Sequence, residues 1–196
     1  MGSLLAKDPN VRTLEYNEGQ SLSKLWNQLI INSTSDKIFI LNDDIKISPG
    51  FRKEVENSGV LDEEVGLLNK SWSHFLISKK TISNTGWFDE RFPGVGNEDE
   101  DYEARLVMQG ILVRSYPIIS LKSIIFMTSD FSYSAKTPVV NKKYVKANKV
   151  FFESKWETSE NLLPDYQFVR IPRKYVKLRS AMETPNFYPG INYGDQ

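Results

Sequence analysis

The chain has 196 residues, enough for one domain or for one domain with an appendage. Hydrophobic residues make up 40% and charged residues 26% of it, as in ordinary soluble globular proteins. Lys plus Arg and Asp plus Glu both total 25, so no overall charge favours binding to nucleic acid or to an acidic membrane. Cysteine is absent, which excludes disulfides and thiolate metal sites and leads us to expect a reducing, cytoplasmic location. No apolar run approaches the roughly 20 residues that span a bilayer, so we expect no transmembrane segment.

The first part of the chain predicts a strand, a helix and a second strand. Val11 to Tyr16 has the composition of a strand. From Leu22 to Ile30 apolar residues recur at the spacing of an amphipathic helix, and Ser21 is a suitable N-cap. Residues 38–41 form a short continuous apolar run, which is typical of a strand covered on both faces in an α/β sheet. This strand ends in Asn42-Asp43-Asp44.

The middle of the chain continues the alternation. A turn at 48–50 precedes a short helix at 51–56, two strands are predicted at 65–69 and 75–78, and Asn84-Thr85-Gly86 breaks the chain. Helices that alternate with short buried strands predict an α/β fold with a mostly parallel central sheet flanked by helices.

A second helical region follows a glycine-rich loop. The loop at 93–96 leads into a helix from about Asp99 to Met108, which Gly110 closes. Ile111 to Val113 resumes as a strand, and a later helix is predicted at 141–156. We therefore divide the chain into a core domain at 1–135 and a C-terminal helix with a basic, aromatic extension at 136–196.

The first acidic cluster, Asn42-Asp43-Asp44, follows a buried strand at its carboxyl end, where ligands bind in α/β sheets. Carboxylates held there suit Mg²⁺ or Mn²⁺, which retain waters and accept phosphate oxygens as further ligands. Such a cation stabilises the charge on a departing diphosphate. An exposed Asn-Asp turn that only ends the strand is equally compatible with this pattern.

The second acidic cluster, Glu98-Asp99-Glu100-Asp101, lies at a predicted helix start. Acidic residues in a first turn are favoured by the helix dipole, and Asp101 can pair with Arg105 four residues later, so a structural role would suffice. However, Glu98 and Asp99 follow a mobile loop and should face outward. A carboxylate there could deprotonate a sugar hydroxyl.

Five segments, in this order, resemble inverting glycosyltransferases of family 2, which have the GT-A fold. Residues 36–50 are similar to the family's strand with its DxD-type motif. Residues 75–78, 86–92 (Gly-Trp-Phe-Asp-Glu-Arg-Phe) and 98–106 are similar to its acceptor-side segment, and 148–156 resembles a later helix that ends in Lys-Trp. The resemblance covers about Val11 to Trp156. It implies a Rossmann-related, GT-A-like core that transfers a sugar from a nucleoside-diphosphate sugar to a hydroxyl acceptor on a glycan or glycoprotein.

The resemblance implies donor-side roles for the first cluster. Asp44 would bind the divalent cation, Mn²⁺ or Mg²⁺. Asp43 and Asn42 would lie nearer the nucleotide-sugar donor, a UDP-, GDP- or dTDP-sugar. Asn42 stands where the family's motif has its first aspartate, which weakens the match at that position.

The resemblance also implies acceptor-side roles for the second cluster and for two aromatic residues. Asp99 would be the general base, and Glu98 would contact the hydroxyl of the carbohydrate acceptor. Trp87 and Phe88 would form an apolar platform for a sugar ring, although a plain core role is about equally compatible with their composition.

The match departs from the family at its start. Such enzymes begin with a strand, a helix and a strand that build the nucleoside pocket, and this sequence begins at what resembles their third strand. Either the sequence is truncated, or that segment comes from elsewhere, or the nucleotide pocket is degraded. This departure motivates a second hypothesis, that the chain is a non-catalytic carbohydrate- or protein-binding module derived from the fold. A nucleotidyltransferase-like enzyme is the third, and the absence of a Gly-rich phosphate loop disfavours it.

Two further features carry alternative interpretations. His74, the only histidine, is expected to be an ordinary packed or exposed imidazole rather than a metal ligand. The basic C-terminal segment is expected to be a solvated extension that packs on the core, with a surface for anionic lipid or a partner protein as the alternative. Its cations are Lys142, Lys143, Lys146, Arg170, Arg173, Lys174, Lys177 and Arg179.

Overall fold

The computed structural model describes residues 9–123, 139–158, 175–178 and 182–193. Its helices are α1 (Leu22–Asn32), α2 (Phe51–Ser58), α3 (Lys79–Thr85), α4 (Glu98–Met108) and α5 (Val139–Lys155), with a 3-10 helix at Val60–Asp62. Its strands are β1 (Lys37–Leu41), β2 (Ile45–Ile47), β3 (Val65–Leu68), β4 (Ser71–Ser78), β5 (Arg114–Tyr116), β6 (Leu121–Ser123), β7 (Trp156–Thr158) and β8 (Tyr175–Leu178). The predicted α/β class is confirmed.

The central sheet is mixed rather than mostly parallel. Its strand order is β1-β4-β3-β5, in which β4 runs antiparallel to both β1 and β3, and only β5 runs parallel to β3. The reason is local, because Asn69 and Lys70 both have positive φ angles, 55° and 62°. A two-residue turn with this geometry joins neighbouring antiparallel strands, so β4 has to return along β3. The smaller sheets, β2-β6 and β7-β8, are also antiparallel.

Both faces of the sheet are covered by apolar clusters, as the composition of β1 predicts. Ile38 and Ile40 face one cluster, whereas Phe39 and Leu41 pack against the other. The first cluster lies under α1 and α4 and contains rings at centroid distances between 4.0 and 6.3 Å. These aromatic residues are Trp26, Trp72, Phe75, Phe88 and Tyr102.

Helix α1 forms as its sequence predicts. Apolar residues on one side reach the core, and the side chain of Ser21 accepts a hydrogen bond from the N–H of Lys24 at 3.3 Å. That bond satisfies one of the free donors of the first turn. The buried side of α1 also contains Asn27, whose amide bonds the backbone of Phe88 on a neighbouring loop.

Three local predictions are corrected. Residues 11–16 are exposed and belong to no strand, because no neighbouring strand pairs with them among the described residues. The strand expected at 111–113 lies at β5, where the chain comes alongside β3. The segment before Gly86 is not only a break, since it forms the helix α3.

Two further predictions concern membrane spanning and the domain boundary. None of the described helices is both long and apolar enough to cross a lipid bilayer. The predicted domain boundary between 135 and 136 lies outside the described residues and stays a prediction.

Candidate active site

The first acidic cluster lies at the exposed end of β1. The backbone N–H of Asn42 donates to the carbonyl of Ser73 at 3.0 Å, which extends the pairing of β1 with β4 by one residue. The chain then leaves the sheet, with Asp43 exposed and Asp44 partly exposed. Both carboxylates therefore reach solvent from a base that the sheet holds in place.

The second acidic cluster lies at the start of α4 and contains one buried and one accessible carboxylate. Glu98 is 3% exposed, and its carboxylate accepts the N–H of Gly96. The expectation that Glu98 faces outward is therefore corrected, because its side chain turns back to bond Gly96 in the preceding loop. Asp99 is partly exposed and accepts the N–H of Glu100 at 3.0 Å.

The two carboxylates at the start of α4 differ in their electrostatic setting. Burial, aided by the neighbouring Asp99 carboxylate, raises the pKa of Glu98 to about 8. Glu98 is thus mostly protonated at neutral pH. A carboxyl group shifted in this way, beside a solvent-accessible one, is an arrangement that acid–base catalysis uses.

Contacts with β4 bring the two acidic clusters to one end of the sheet. Asn42 bonds Ser73, and the neighbouring Trp72 donates its indole N–H to Glu103 of α4 at 3.0 Å. Glu98 and Asp99 precede Glu103 by about one helical turn, so the first turn of α4 lies near the start of β4. The start of β4 pairs with the end of β1, which leads to Asp44.

An independent contact gives the same result. Helix α1 contacts β1 and is joined to it by a short loop, so the two run in opposite directions and the start of α1 is near the end of β1. The N–H of Leu22, the first residue of α1, donates to the carbonyl of Gly94 at 2.8 Å. The loop that precedes α4 is thus held at the end of β1. We call this end of the sheet, with residues 42–44 and 98–99, the acidic edge.

His74 adjoins the acidic edge and is packed, as expected. It pairs with Leu41 in the β1–β4 ladder and is buried. Burial lowers the pKa of His74, while the charge of the Asp44 carboxylate opposes that change. Its Nδ1 atom has no hydrogen-bond partner within the part of the chain that the structure describes.

The donor groups at the acidic edge suit a cation that is shared with a phosphate ligand. Among the described residues, no group of three or more His, Cys, Asp or Glu side chains could hold a metal ion by itself. Mg²⁺ sites that act on phosphates commonly take only one or two protein carboxylates and complete their coordination with water and substrate oxygens. Asp43 and Asp44 provide carboxylates of that kind.

The aromatic pair predicted to hold a sugar ring belongs to the core. Phe88 is fully buried and stacks on Tyr102 with ring centroids 4.0 Å apart. Trp87 is 4% exposed and packs edge-on against Tyr188 at 4.9 Å. Both side chains are almost fully buried, so the pair offers no open platform beside Asp99, and we do not retain that role.

A buried ionic network beneath the acidic edge escaped the sequence analysis. Lys155 contacts Asp89 at 2.7 Å and Asp101 at 2.6 Å, and all three side chains are inaccessible to solvent. The predicted pair of Asp101 with Arg105 is confirmed at 3.1 Å. The available signal was an aspartate, Asp89, directly after two aromatic residues, because a charge in an apolar segment implies a buried partner.

The basic C-terminal segment is described only in part. Lys146 is exposed on α5. Arg170, Arg173, Lys174 and Arg179 lie outside the described residues, as do the side chains of Lys142, Lys143 and Lys177. Its interpretation as a solvated extension stays a prediction.

No family model, curated protein or solved structure matches the chain. The resemblance to family 2 glycosyltransferases is carried by the quoted motifs alone. A function has to be argued from the residues of the acidic edge.

Proposed function

We propose that the chain is a metal-dependent glycosyltransferase that moves a sugar from a nucleoside-diphosphate sugar to a carbohydrate hydroxyl. One observation carries the proposal. Asn42 contacts Ser73 at the start of β4. Glu103, which lies one helical turn after Asp99, contacts the neighbouring Trp72, so the two acidic clusters lie near one end of the sheet. The reaction needs two separate anionic groups at one place. One holds the cation of the leaving diphosphate, and the other receives the proton of the attacking hydroxyl.

The donor side is assigned to residues 42–44. Asp44 would bind Mn²⁺ or Mg²⁺, with Asp43 and Asn42 beside it towards the nucleotide sugar. The cation, when bound, would neutralise charge on the departing diphosphate. The exposure of Asp43 and Asp44 beyond β1 leaves room for phosphate oxygens and waters.

The acceptor side is assigned to Asp99 as base. Glu98 has a pKa raised to about 8, so it is mostly neutral at physiological pH and is poorly suited to accept a proton. Asp99, which is more accessible, is then the group that takes the proton of the acceptor hydroxyl. As that oxygen forms its bond to the anomeric carbon, the bond to the diphosphate breaks and its electron pair leaves with the diphosphate. Glu98 is 3% exposed and accepts the N–H of Gly96, so we do not assign it a contact with the acceptor hydroxyl.

The proposal is tested by incubating the full chain with Mn²⁺, a panel of UDP-, GDP- and dTDP-sugars, and oligosaccharide acceptors. Release of nucleoside diphosphate and the mass of the product are measured. We expect transfer by the wild type and a loss of about 100-fold or more in Asp99→Asn, because a general base commonly contributes that much. Asp44→Asn should raise the Mn²⁺ concentration needed for half-maximal activity.

A matched control is Asp36→Asn, an exposed position that precedes β1 and so lies at the other end of the sheet. It should retain wild-type transfer. Full activity of Asp99→Asn would refute the assigned base. Absence of nucleoside diphosphate binding with Mn²⁺, measured by calorimetry, would refute the transferase proposal and favour a binding module.

A further inference from the structure

Two lysines lie directly opposite each other on the small β2-β6 sheet. In its antiparallel register Lys46 of β2 pairs with Lys122 of β6, and both side chains are exposed. Opposite residues in such a register have Cβ atoms about 5 Å apart, so two like charges there repel and destabilise the strand pair. Neither ammonium group has an ion-pair or hydrogen-bond partner within the described part of the chain. We call these two residues the lysine pair.

The chain itself holds Lys46 close to the acidic edge. Lys46 follows Asp44 by two residues, so the Cα atoms of the two residues are at most about 7 Å apart. Between them, Ile45 packs against the same apolar cluster as Phe39 and Leu41, which fixes the start of β2. A lysine side chain has a flexible stem of four carbons, so a ligand bound at Asp44 is within reach of the Lys46 ammonium group.

A different part of the chain holds Lys122 near the same place. The side chain of Asn69 accepts the N–H of Ile118 at 2.7 Å and donates to the carbonyls of Ile118 and Leu121 at 3.0 Å. Asn69 lies two residues before Ser71, the first residue of β4, and the acidic edge contacts the start of that strand. The residue that precedes Lys122 is therefore attached to the sheet near the acidic edge.

Further hydrogen bonds order the segment that leads into β6. The carboxylate of Glu54 in α2 accepts the N–H of Ile119 at 2.6 Å and that of Ser120 at 2.9 Å. The N–H of Ser48 donates to the carbonyl of Ser120 at 2.8 Å, which continues the pairing of β2 with β6. The backbone that carries the lysine pair is thus already ordered, and it loses little conformational freedom when a ligand binds.

We propose that the lysine pair binds a diphosphate group at the acidic edge. Two ammonium groups that repel each other in the free chain share one counter-charge when an anion bridges them. A diphosphate has several charged oxygens, so it can accept hydrogen bonds from both lysines while other oxygens bind a cation at Asp44. That this diphosphate belongs to a nucleotide sugar rests on the proposed function, whereas the binding of the diphosphate itself does not.

The test is a calorimetric titration of the full chain with pyrophosphate, in solutions freed of metal ions by a chelating resin. Pyrophosphate should bind with a Kd below about 1 mM, and inorganic phosphate should bind more weakly because it bridges two ammonium groups less well. Lys46→Gln and Lys122→Gln should each weaken pyrophosphate binding about tenfold, since each removes a hydrogen bond to a charged group.

The matched control is Lys80→Gln, which removes the same charge at an exposed position. Lys80 lies in α3, which follows the last residue of β4, so it is at the opposite end of the sheet from the acidic edge. Lys80→Gln should bind pyrophosphate as the wild type does. Wild-type affinity in both lysine-pair variants, or an equal loss in Lys80→Gln, would overturn the proposal.

A charge reversal separates binding from a role in stability. Lys46→Glu places an opposite charge across from Lys122, so it should raise the urea midpoint of unfolding while it abolishes pyrophosphate binding. A lower midpoint together with weaker binding would indicate that Lys46 only supports the fold, which would refute the proposal.

The outcome for the lysine pair is distinguishable from the outcome for the transferase. Binding of pyrophosphate without transfer from any nucleotide sugar would refute the proposed function and leave the diphosphate site in place. Transfer by a chain whose lysine-pair variants bind pyrophosphate normally would refute the site alone. Tighter binding of UDP than of pyrophosphate would assign the diphosphate to a nucleotide, and equal binding would assign it to a free diphosphate.

Discussion

The Nζ atom of Lys155 lies 2.6 Å from Oδ1 of Asp101, and neither side chain is exposed to solvent. The indole of Trp156 donates to the same carboxylate at 3.0 Å, and Asp89 contacts the same ammonium group at 2.7 Å. These bonds join α4, α5 and the loop before α4. Asp101 lies two residues after Asp99, so the network holds in place the helix start to which we assign the catalytic base.

Replacing Lys155 should destabilise the fold strongly. Lys155→Met leaves Asp89 and Asp101 buried with one fewer cation, and breaking a buried ion pair in this way costs about 3–5 kcal/mol. Urea denaturation would measure the change in the free energy of unfolding. Lys149→Met is the matched control, because Lys149 is exposed on the same helix and lies 3.9 Å from Glu153. It should change stability by less than about 1 kcal/mol, and a similar loss in both variants would contradict the assigned role.

Asp89 should make the fold sensitive to acid. Burial by itself would raise the pKa of Asp89, but the hydrogen bond from Arg91 and the charge of Lys155 outweigh it and lower the pKa below 3.8. The unfolded chain then binds more protons, so the stabilisation is present above pH 3.8 and is lost as the pH falls towards the folded pKa. Urea denaturation below about pH 5 should show a smaller pH dependence in Asp89→Asn than in the wild type. Identical slopes would disprove this account.

Glu98 should have the opposite effect on stability. Its pKa is raised from 4.5 to about 8, so the folded chain binds more protons between these values and loses stability as the pH rises through that range. At about 1.4 kcal/mol per pKa unit, the total is on the order of 5 kcal/mol. Glu98→Gln lacks the titrating group. Its unfolding free energy, measured at several pH values, should therefore rise relative to that of the wild type from about pH 5 to about pH 9. A constant difference between the two proteins would exclude the shifted pKa.

Asn27 should contribute to the stability of the fold, because its side-chain amide bonds both backbone groups of Phe88. The side chain accepts the N–H of Phe88 at 3.0 Å and donates to the carbonyl of Phe88 at 2.9 Å, and it is fully buried. Asn27→Ala leaves both backbone groups unsatisfied, which should cost about 2–4 kcal/mol of unfolding free energy. Asn57→Ala, at an exposed helical position, should stay within about 0.5 kcal/mol of the wild type in the same thermal or urea experiment. If both alanine variants were equally stable, the hydrogen bonds of Asn27 would make no net contribution to the free energy of unfolding.

Much of the local structure could be predicted because its causes are local. The apolar spacing of residues 22–30 and the N-cap at Ser21 depend only on neighbours along the helix, and both are confirmed in α1. The short apolar run of β1 indicated cover on both faces, which the two core clusters provide. The pairing of Asp101 with Arg105 likewise follows from helical spacing.

Predictions that depend on contacts between residues far apart in the sequence were less accurate. Val11 to Tyr16 has strand composition but no strand beside it within the described residues, so it forms none. The direction of β4 depends on the turn at Asn69 and Lys70 and was missed when alternation alone predicted parallel strands. The aromatic character of Phe88 is the same in a core and on a ligand platform, and only the stacking on Tyr102 decides between them.

The sequence by itself determined the α/β class, most helix and strand positions and the two acidic clusters, because hydrophobic periodicity and local charge depend only on neighbouring residues. Only the tertiary structure decided that the clusters share one end of the sheet, that Glu98 is buried while Asp99 is accessible, and that Lys155 lies between Asp89 and Asp101. Burial and charge pairing depend on which distant segments pack together, and it is those contacts that set the pKa of each carboxylate.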